Sequence, residues 1–304
     1  MIFTCGKKYI SNNSGGEVVI KTRYFAAMSL YLASINSGSN GNCYYVGTET
    51  DAVLIDAGLS CRETEKRMAR IGLKMSAVRA VFISHEHGDH IKGLESIATK
   101  YPIPIYITPP TLSKGKLRLP LEALRTFAAN DAIAIAGMTI TPFAKMHDAI
   151  DPHSFVIERN GVRVGVITDI GVACAEVAVH FAQCHAAVLE ANYDEQMLEN
   201  GRYPHHLKNR IRSGHGHVSN AQALELFVRR RHPHLSHLLL AHLSADNNNP
   251  ELALNMFTAV AGKIKIVVAS RYEESAVYHI TGPAVAAPPK IKPAKPRVVQ
   301  ATLF

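Results

Sequence analysis

The stretch Val81-Phe-Ile-Ser-His85-Glu-His87-Gly-Asp89-His90 places four groups that bind metal ions within six residues. An apolar run with strand character leads into it, and a helical pattern begins at Ile91. His85 and His87 stand two apart on extended chain, so their rings face the same way and converge on one ion. Asp89 and His90, on the turn into the helix, can point at a second. Imidazole nitrogen suits zinc, manganese or iron, and a carboxylate keeps the site open to several of them. The competing reading is a His-rich surface loop, but a strand-to-helix H-x-H-x-D-H string rarely arises by chance.

Four further candidates close other apolar runs. Asp56 lies in Leu54-Ile-Asp-Ala-Gly58, His147 in Lys145-Met-His-Asp148, Asp169 in Val166-Ile-Thr-Asp-Ile-Gly171 and His242 in Leu239-Leu-Ala-His-Leu-Ser244. Each alone is usually read as a turn-forming aspartate or a satisfied histidine. Together they all fall at strand C-termini, where α/β proteins collect their sites.

The surrounding chain supports such a scaffold. Apolar residues make up 47% of 304 and charged residues 19%, which excludes a disordered or fibrous protein. No apolar run approaches the roughly 18 residues of a membrane span, and no signal peptide opens the chain. Five cysteines without a C-x-x-C pair point to a reduced, cytoplasmic protein. Sixteen histidines with no Trp agree with metal chemistry. Short strands are expected at 29–35, 43–47, 52–55, 79–83, 104–107, 138–142, 154–158, 162–167, 186–190, 236–240 and 264–268. Helices are expected at 61–71, 89–100, 173–182, 194–200, 204–212, 219–230 and 250–261. Hairpin signals at 47–51 and at Arg159-Asn-Gly161, followed by strand–helix units, predict two mixed sheets packed together with helices outside. The body spans 28–282. Residues 1–27, polar and without sustained periodicity, read as a poorly ordered extension or an upstream start. Residues 283–304 begin as a Pro/Ala/Lys-rich linker.

The ordered set Asp56, His85-x-His87-x-Asp89-His90, His147, Asp169, His242 resembles the five motifs of the metallo-β-lactamase superfamily. That resemblance implies an α/β fold, the αβ/βα sandwich of two mixed sheets with outer helices, and a site at one edge between the sheets. It implies two divalent ions, zinc or manganese: His85, His87 and His147 on the first, Asp89, His90 and His242 on the second, Asp169 bridging. Asp56 would orient the ligands. Asp56, Asp89 and His217 are the candidate catalytic residues, His217 as a proton donor near the metals. The 73-residue interval from Asp169 to His242 is too short for the inserted domain of the β-CASP nucleases. Ser37-Gly-Ser-Asn-Gly-Asn42-Cys-Tyr-Tyr, Asp89-His-Ile-Lys-Gly93, Glu190-Ala-Asn-Tyr-Asp194, Gly216-His-Val-Ser-Asn220 and His242-Leu-Ser-x-x-x-Asn248 resemble a single-domain, DNA-exonuclease-like bacterial branch related to ribonuclease Z.

Charge bears on the substrate. The net +8 divides into +4 on 283–304 and +3 on 1–27, leaving the body at +1. Against that near-neutral background, 202–217 carries Lys208, Arg210, Arg212 and other basic residues with no acid. This segment reads as a nucleic-acid contact or as a solvated amphipathic helix. The loop 37–42, with Ser39, Asn40 and Asn42, reads as a phosphate-approaching loop or an ordinary connection. A phosphodiesterase acting on DNA follows. A hydrolase of small esters, thioesters or lactones, as in the glyoxalase II branch, is the alternative on the same metal motifs. The final residues, Gln300-Ala-Thr-Leu-Phe304, resemble the peptide by which bacterial repair proteins dock on the DNA sliding clamp. Gln300, Leu303 and Phe304 would make the contacts.

Overall fold

The structure is a computed structural model that describes residues 8–12, 18–22 and 29–282. Strands β1 (Lys8–Asn12) and β2 (Val18–Thr22) pair antiparallel as a small sheet, which the missing periodicity of this segment did not announce. The clamp-peptide residues Gln300, Leu303 and Phe304 lie outside the described residues.

Two seven-stranded sheets form the body. The first takes β3 (Ser29–Asn36), β4 (Cys43–Gly47), β5 (Ala52–Ile55), β6 (Val78–Phe82), β7 (Ile105–Tyr106) and β8 (Leu124–Arg125) side by side. The second takes β9 (Ile133–Ile135), β10 (Met138–Ala144), β11 (His153–Arg159), β12 (Val162–Ile167), β13 (Ala186–Glu190), β14 (His237–Ala241) and β15 (Lys265–Val268). A last strand, β16 (Tyr278–Thr281), returns to the first sheet beside β3. Each sheet starts as antiparallel hairpins and continues as parallel strands. The turn between β11 and β12 uses Asn160 and Gly161, both at positive φ, as tight hairpins require.

Period-2 alternation divides the core into layers. Tyr44 and Val46 of β4 and Leu239 and Ala241 of β14 meet between the sheets. Cys43 and Tyr45 face α1 (Cys61–Arg70), α2 (Gly88–Ile91) and α3 (Leu94–Lys100) on the first sheet's outer side. A short helix, α4 (Pro109–Lys114), follows β7. Leu238 and Leu240 face the helices over the second sheet. Those helices include α5 (Ala175–Phe181); α6 (Glu195–Asn200) and α7 (His205–Arg212) then precede α8 (Asn220–Arg230) and α9 (Pro250–Ala261). Both faces of each sheet are covered, so the strands read as continuous apolar runs. Ser219 begins α8 with a reciprocal cap: its hydroxyl accepts Gln222 N–H while its own N–H is taken by the Gln222 side chain.

The single helix expected at 89–100 is two. It breaks at Gly93, whose N–H donates to Ala57 O over 2.8 Å. A Cβ there would lie 1.7 Å from Leu59 O, so the chain must leave the helical path to pack this closely. The two-residue β8, three-residue β9, four-residue β16 and α4 were not anticipated; edge strands this short carry no period to detect. Among the described residues, no helix is long and apolar enough to cross a membrane.

Candidate metal centre

In-register parallel pairing brings the site together. Ile167 pairs with Leu189 and Leu189 with Leu240, so the exits of β12, β13 and β14 share one edge. Ile55 pairs with Phe82, setting Asp56 beside the start of the histidine string. Asp56, Asp169 and His242 each leave their strand at positive φ, +63°, +53° and +57°. L-residues adopt this conformation at a cost of roughly 1–2 kcal/mol. It persists because buried bonds hold each turn: His242 N–H donates to Ser37 Oγ (2.8 Å) and its carbonyl accepts from Asn192 Nδ2 (2.7 Å).

The donor atoms fall into overlapping groups, each with its atoms within 4.8 Å of one another. One is His85, His87 and His147; another is Asp89, His90 and His242; a third joins Asp169 to His85 and His90, between the first two. His85 Nε2, Asp169 Oδ2 and His242 Nε2 are buried without a hydrogen-bond partner. Orphaned polar atoms of this kind are costly in a native interior. A set of imidazoles and carboxylates aimed into one space fits divalent ions, and these residues could hold them.

A second layer fixes the rings. Asp56, fully buried, accepts Ser84 N–H and Ser84 Oγ–H (2.8 Å each) and His90 Nδ1–H (2.7 Å). With both oxygens engaged it positions ligands and cannot touch a substrate. His147 Nδ1–H donates to Gly216 O (3.0 Å), leaving Nε2 as its ligand atom. Sequence reasoning passed over Glu190, the last residue of β13. Its Oε2 accepts Ile170 N–H (2.7 Å), and its Oε1 accepts the Nδ1–H groups of His217 (2.7 Å) and His242 (3.0 Å). Glu190 also falls within ligand spacing of Asp169, His217 and His242, but three donors already fill it. The signal was present in the string Glu190-Ala-Asn-Tyr-Asp194, hidden because the residue ends an otherwise apolar strand. Asn248, closing another such string, donates to Ala191 O (2.8 Å) and exchanges bonds with Asn220 (2.9 Å). The quoted strings are thus largely the scaffold behind the ligands.

Asp56, Asp89, Asp169 and Glu190 put four carboxylates in this space. Burial disfavours the charge on His90, but Asp169, Asp56 and Asp89 outweigh it and raise its pKa to about 10. Burial opposes charge on His242 too, and Asp169, Asp89 and Glu190 push it well above the ordinary range. Burial would raise Asp89, but His90 and His242 bring it down to about 2. On His147 burial outweighs the opposing pull of Asp169 and Glu190 and lowers it to about 4. Such an excess of negative charge is what divalent ions neutralise.

The residues expected to meet substrate separate. Asn42 is fully buried; it donates to Asp89 Oδ2 (3.1 Å) and accepts Gly38 N–H (2.9 Å), so it supports a ligand instead of facing solvent. Ser39 and Asn40 are exposed and bonded to Arg271 (2.9 and 2.7 Å). Lys208 turns inward and its Nζ donates to Glu199 O (2.5 Å), which removes it from the surface. Arg212 is held by Glu199 and Asn209 (3.0 Å each). Arg210 alone reaches the site: it donates to Asp148 Oδ2 (2.5 Å), and Asp148 Oδ1 is 3.4 Å from His147 Nε2. His217 sits with its ring 5.3 Å from His147 and 5.1 Å from His242.

Comparison with known proteins agrees with this geometry. Residues 51–242 match the β-lactamase superfamily domain. The chain is 35% identical over 229 residues to exodeoxyribonuclease YycJ of Bacillus anthracis, covering 74% of this chain and 87% of that one. It is 32% identical over 222 residues to exodeoxyribonuclease WalJ of Streptococcus pneumoniae serotype 2, covering 71% and 82%. The metallo-β-lactamase fold protein YhfI from Bacillus subtilis shares the fold with a TM-score of 0.64 at 15% identity, over 83% of this chain and 99% of that one. Sheet order, ligand clusters and sequence kinship together make this chain a member of the metallo-β-lactamase superfamily, a metal-dependent hydrolase.

Proposed function

We propose that this chain is an exodeoxyribonuclease working with two divalent ions, zinc or manganese. His85, His87 and His147 would hold one, Asp89, His90 and His242 the other, with Asp169 between them. The observation that carries the reading is a histidine already aimed at these clusters: His217, fixed through Nδ1 by Glu190 over 2.7 Å and flanked by His147 and His242. The names of the two bacterial relatives supply DNA as the polymer. Divalent ions held by these residues would supply Lewis-acid polarisation of a phosphate and a lowered pKa for a water.

The remaining work falls to the protein. Asp56 and Gly216 O set which nitrogen of His90 and of His147 is presented. Glu190 leaves Nε2 of His217 as the atom that hands a proton to the leaving oxygen when the P–O bond breaks. Arg210, at the rim beside Asp148, meets the backbone phosphates. With DNA as its substrate the enzyme would work in the cytoplasm, and the tail peptide Gln300, Leu303 and Phe304 would tether it to the sliding clamp.

The test is release of nucleotides from end-labelled DNA by the purified chain with Zn²⁺ or Mn²⁺, set against hydrolysis of a glutathione thioester. DNA shortened from an end, with the thioester intact, is the expected result. Thioester cleavage with DNA untouched would overturn the reading in favour of a small-molecule hydrolase.

A further inference from the structure

A cavity of about 250 Å³ opens beside the metal centre, between the loop after β3 and the segments leaving β14 and β15. Ser37 is part of its wall, and the same Oγ accepts the His242 N–H. Leu243, next in the chain after that ligand, contributes to an apolar lining with Ala245 and Val268. Two planar side chains, Arg271 and Tyr272, complete it.

Tyr272 is unusual among these. Its side chain leaves the residue 77% exposed, while its backbone is pinned on both sides. Tyr272 N–H donates to Ser270 Oγ (3.0 Å), and its carbonyl accepts from Nη2 of the buried Arg67 (2.9 Å). A ring presented on a fixed backbone loses little freedom when something stacks on it. Arg271 Nη2 donates to Ser39 Oγ (2.9 Å) and Arg271 O accepts from Asn40 Nδ2 (2.7 Å). The same loop carries Asn42, bonded to Asp89 (3.1 Å). The rim of the cavity and a metal-site carboxylate therefore belong to one hydrogen-bonded loop.

The fitting ligand has flat apolar faces, polar edges and an anion attached within reach of a guanidinium. We propose that this cavity is the subsite for the nucleobase adjoining the scissile phosphate, stacked on Tyr272, with Arg271 pairing a neighbouring phosphate. The assignment rests on the DNA reading above. Stacking accepts any base, so the subsite recognises a nucleotide end without selecting its sequence.

The experiment measures binding by the metal-loaded full chain, using fluorescence anisotropy. The probe is a single-stranded oligonucleotide with non-hydrolysable methylenephosphonate linkages at its ends, made with terminal bases intact or with abasic terminal nucleotides. Removing the terminal bases should weaken binding to the unaltered protein about tenfold. Tyr272→Ala should lose a similar factor on the intact probe and lose nothing further on the abasic one, while Tyr272→Phe binds normally. Arg271→Ala should weaken both probes alike and lower the salt slope by about one. Equal affinity of the unaltered protein for intact and abasic probes, or Tyr272→Ala and abasic losses that multiply, would overturn the subsite. A protein that neither binds the probe nor shortens ordinary DNA refutes the nuclease reading itself. One that shortens DNA but ignores terminal bases refutes only the subsite.

Discussion

Nδ1–H of His90 donates to Asp56 Oδ2 over 2.7 Å, and both side chains are shut away from solvent. This bond commits Nε2 of His90 to the metal cluster, and Ser84 fixes the carboxylate in turn through its N–H and hydroxyl. Asp56→Asn keeps the shape but sets an amide donor against one of these donors. Metal affinity should fall about 10- to 100-fold with the fold retained. Chelator competition monitored by elemental analysis checks this; unchanged affinity would show that the bond is dispensable.

His217 carries the proton-donor role in the proposed mechanism. His217→Ala should lower the rate on DNA by about 10²- to 10⁴-fold at unchanged metal content. The loss should shrink sharply on an aryl phosphodiester, whose leaving group needs no proton. Glu190→Gln should follow His217→Ala in its dependence on leaving group. An equal loss on both substrates would assign His217 to binding instead.

The pKa shifts predict how stability of the protein stripped with chelator varies with pH. His90, raised to about 10, gives stability that is complete below the ordinary histidine value of 6.5 and is lost as pH rises through 10. His147, lowered to about 4, costs stability as pH falls from 6.5 through 4, because the unfolded chain takes up the proton first. Asp89, lowered to about 2, loses its contribution as pH falls from its ordinary 3.8 through 2. The Tm of the stripped protein should therefore peak near neutrality and fall on both sides. Zn²⁺ or Mn²⁺ should flatten the alkaline arm, since a bound ion displaces the His90 proton. An alkaline arm that is already flat in chelator contradicts the charge arrangement described for the site.

Two basic residues of α7, Lys208 and Arg210, should behave differently. Arg210→Ala should weaken DNA binding for all sequences and reduce the salt slope by about one. Lys208→Ala should leave the slope unchanged, because its amine is already committed to Glu199 O. Salt titrations of both variants on one oligonucleotide decide the matter. Equal slopes for the two would return Arg210 to its pairing with Asp148 alone.

Residues 283–304 joined to a fluorophore should bind purified sliding clamp at micromolar concentration. Replacing both Leu303 and Phe304 by Ala should abolish binding. Equal binding by the altered peptide would remove the tail from the clamp reading.

The sequence by itself determined the scaffold and made the candidate metal ligands conspicuous, because apolar runs and a dense histidine string are local signals. Strands such as β4, β5, β12 and β13 fall where apolar runs lie between turn signals. His85, His87, Asp89 and His90 are chemically conspicuous against the chain around them. What the tertiary structure alone decided depends on partners that lie outside the segment being read. Segment 202–217 carries no acid, yet Asp148, 62 positions from Arg210, meets its guanidinium, and Glu199 holds Arg212 and Lys208. Asn42 looked like a loop residue until folding brought Asp89 to it from 47 positions away. Glu190 is anonymous at the end of an apolar strand, and only the parallel register of β12, β13 and β14 makes it the carboxylate shared by His217 and His242. Composition reports how much charge a segment carries, but whether that charge faces solvent, substrate or a counter-charge is a matter of distance, which the packing of the two sheets sets.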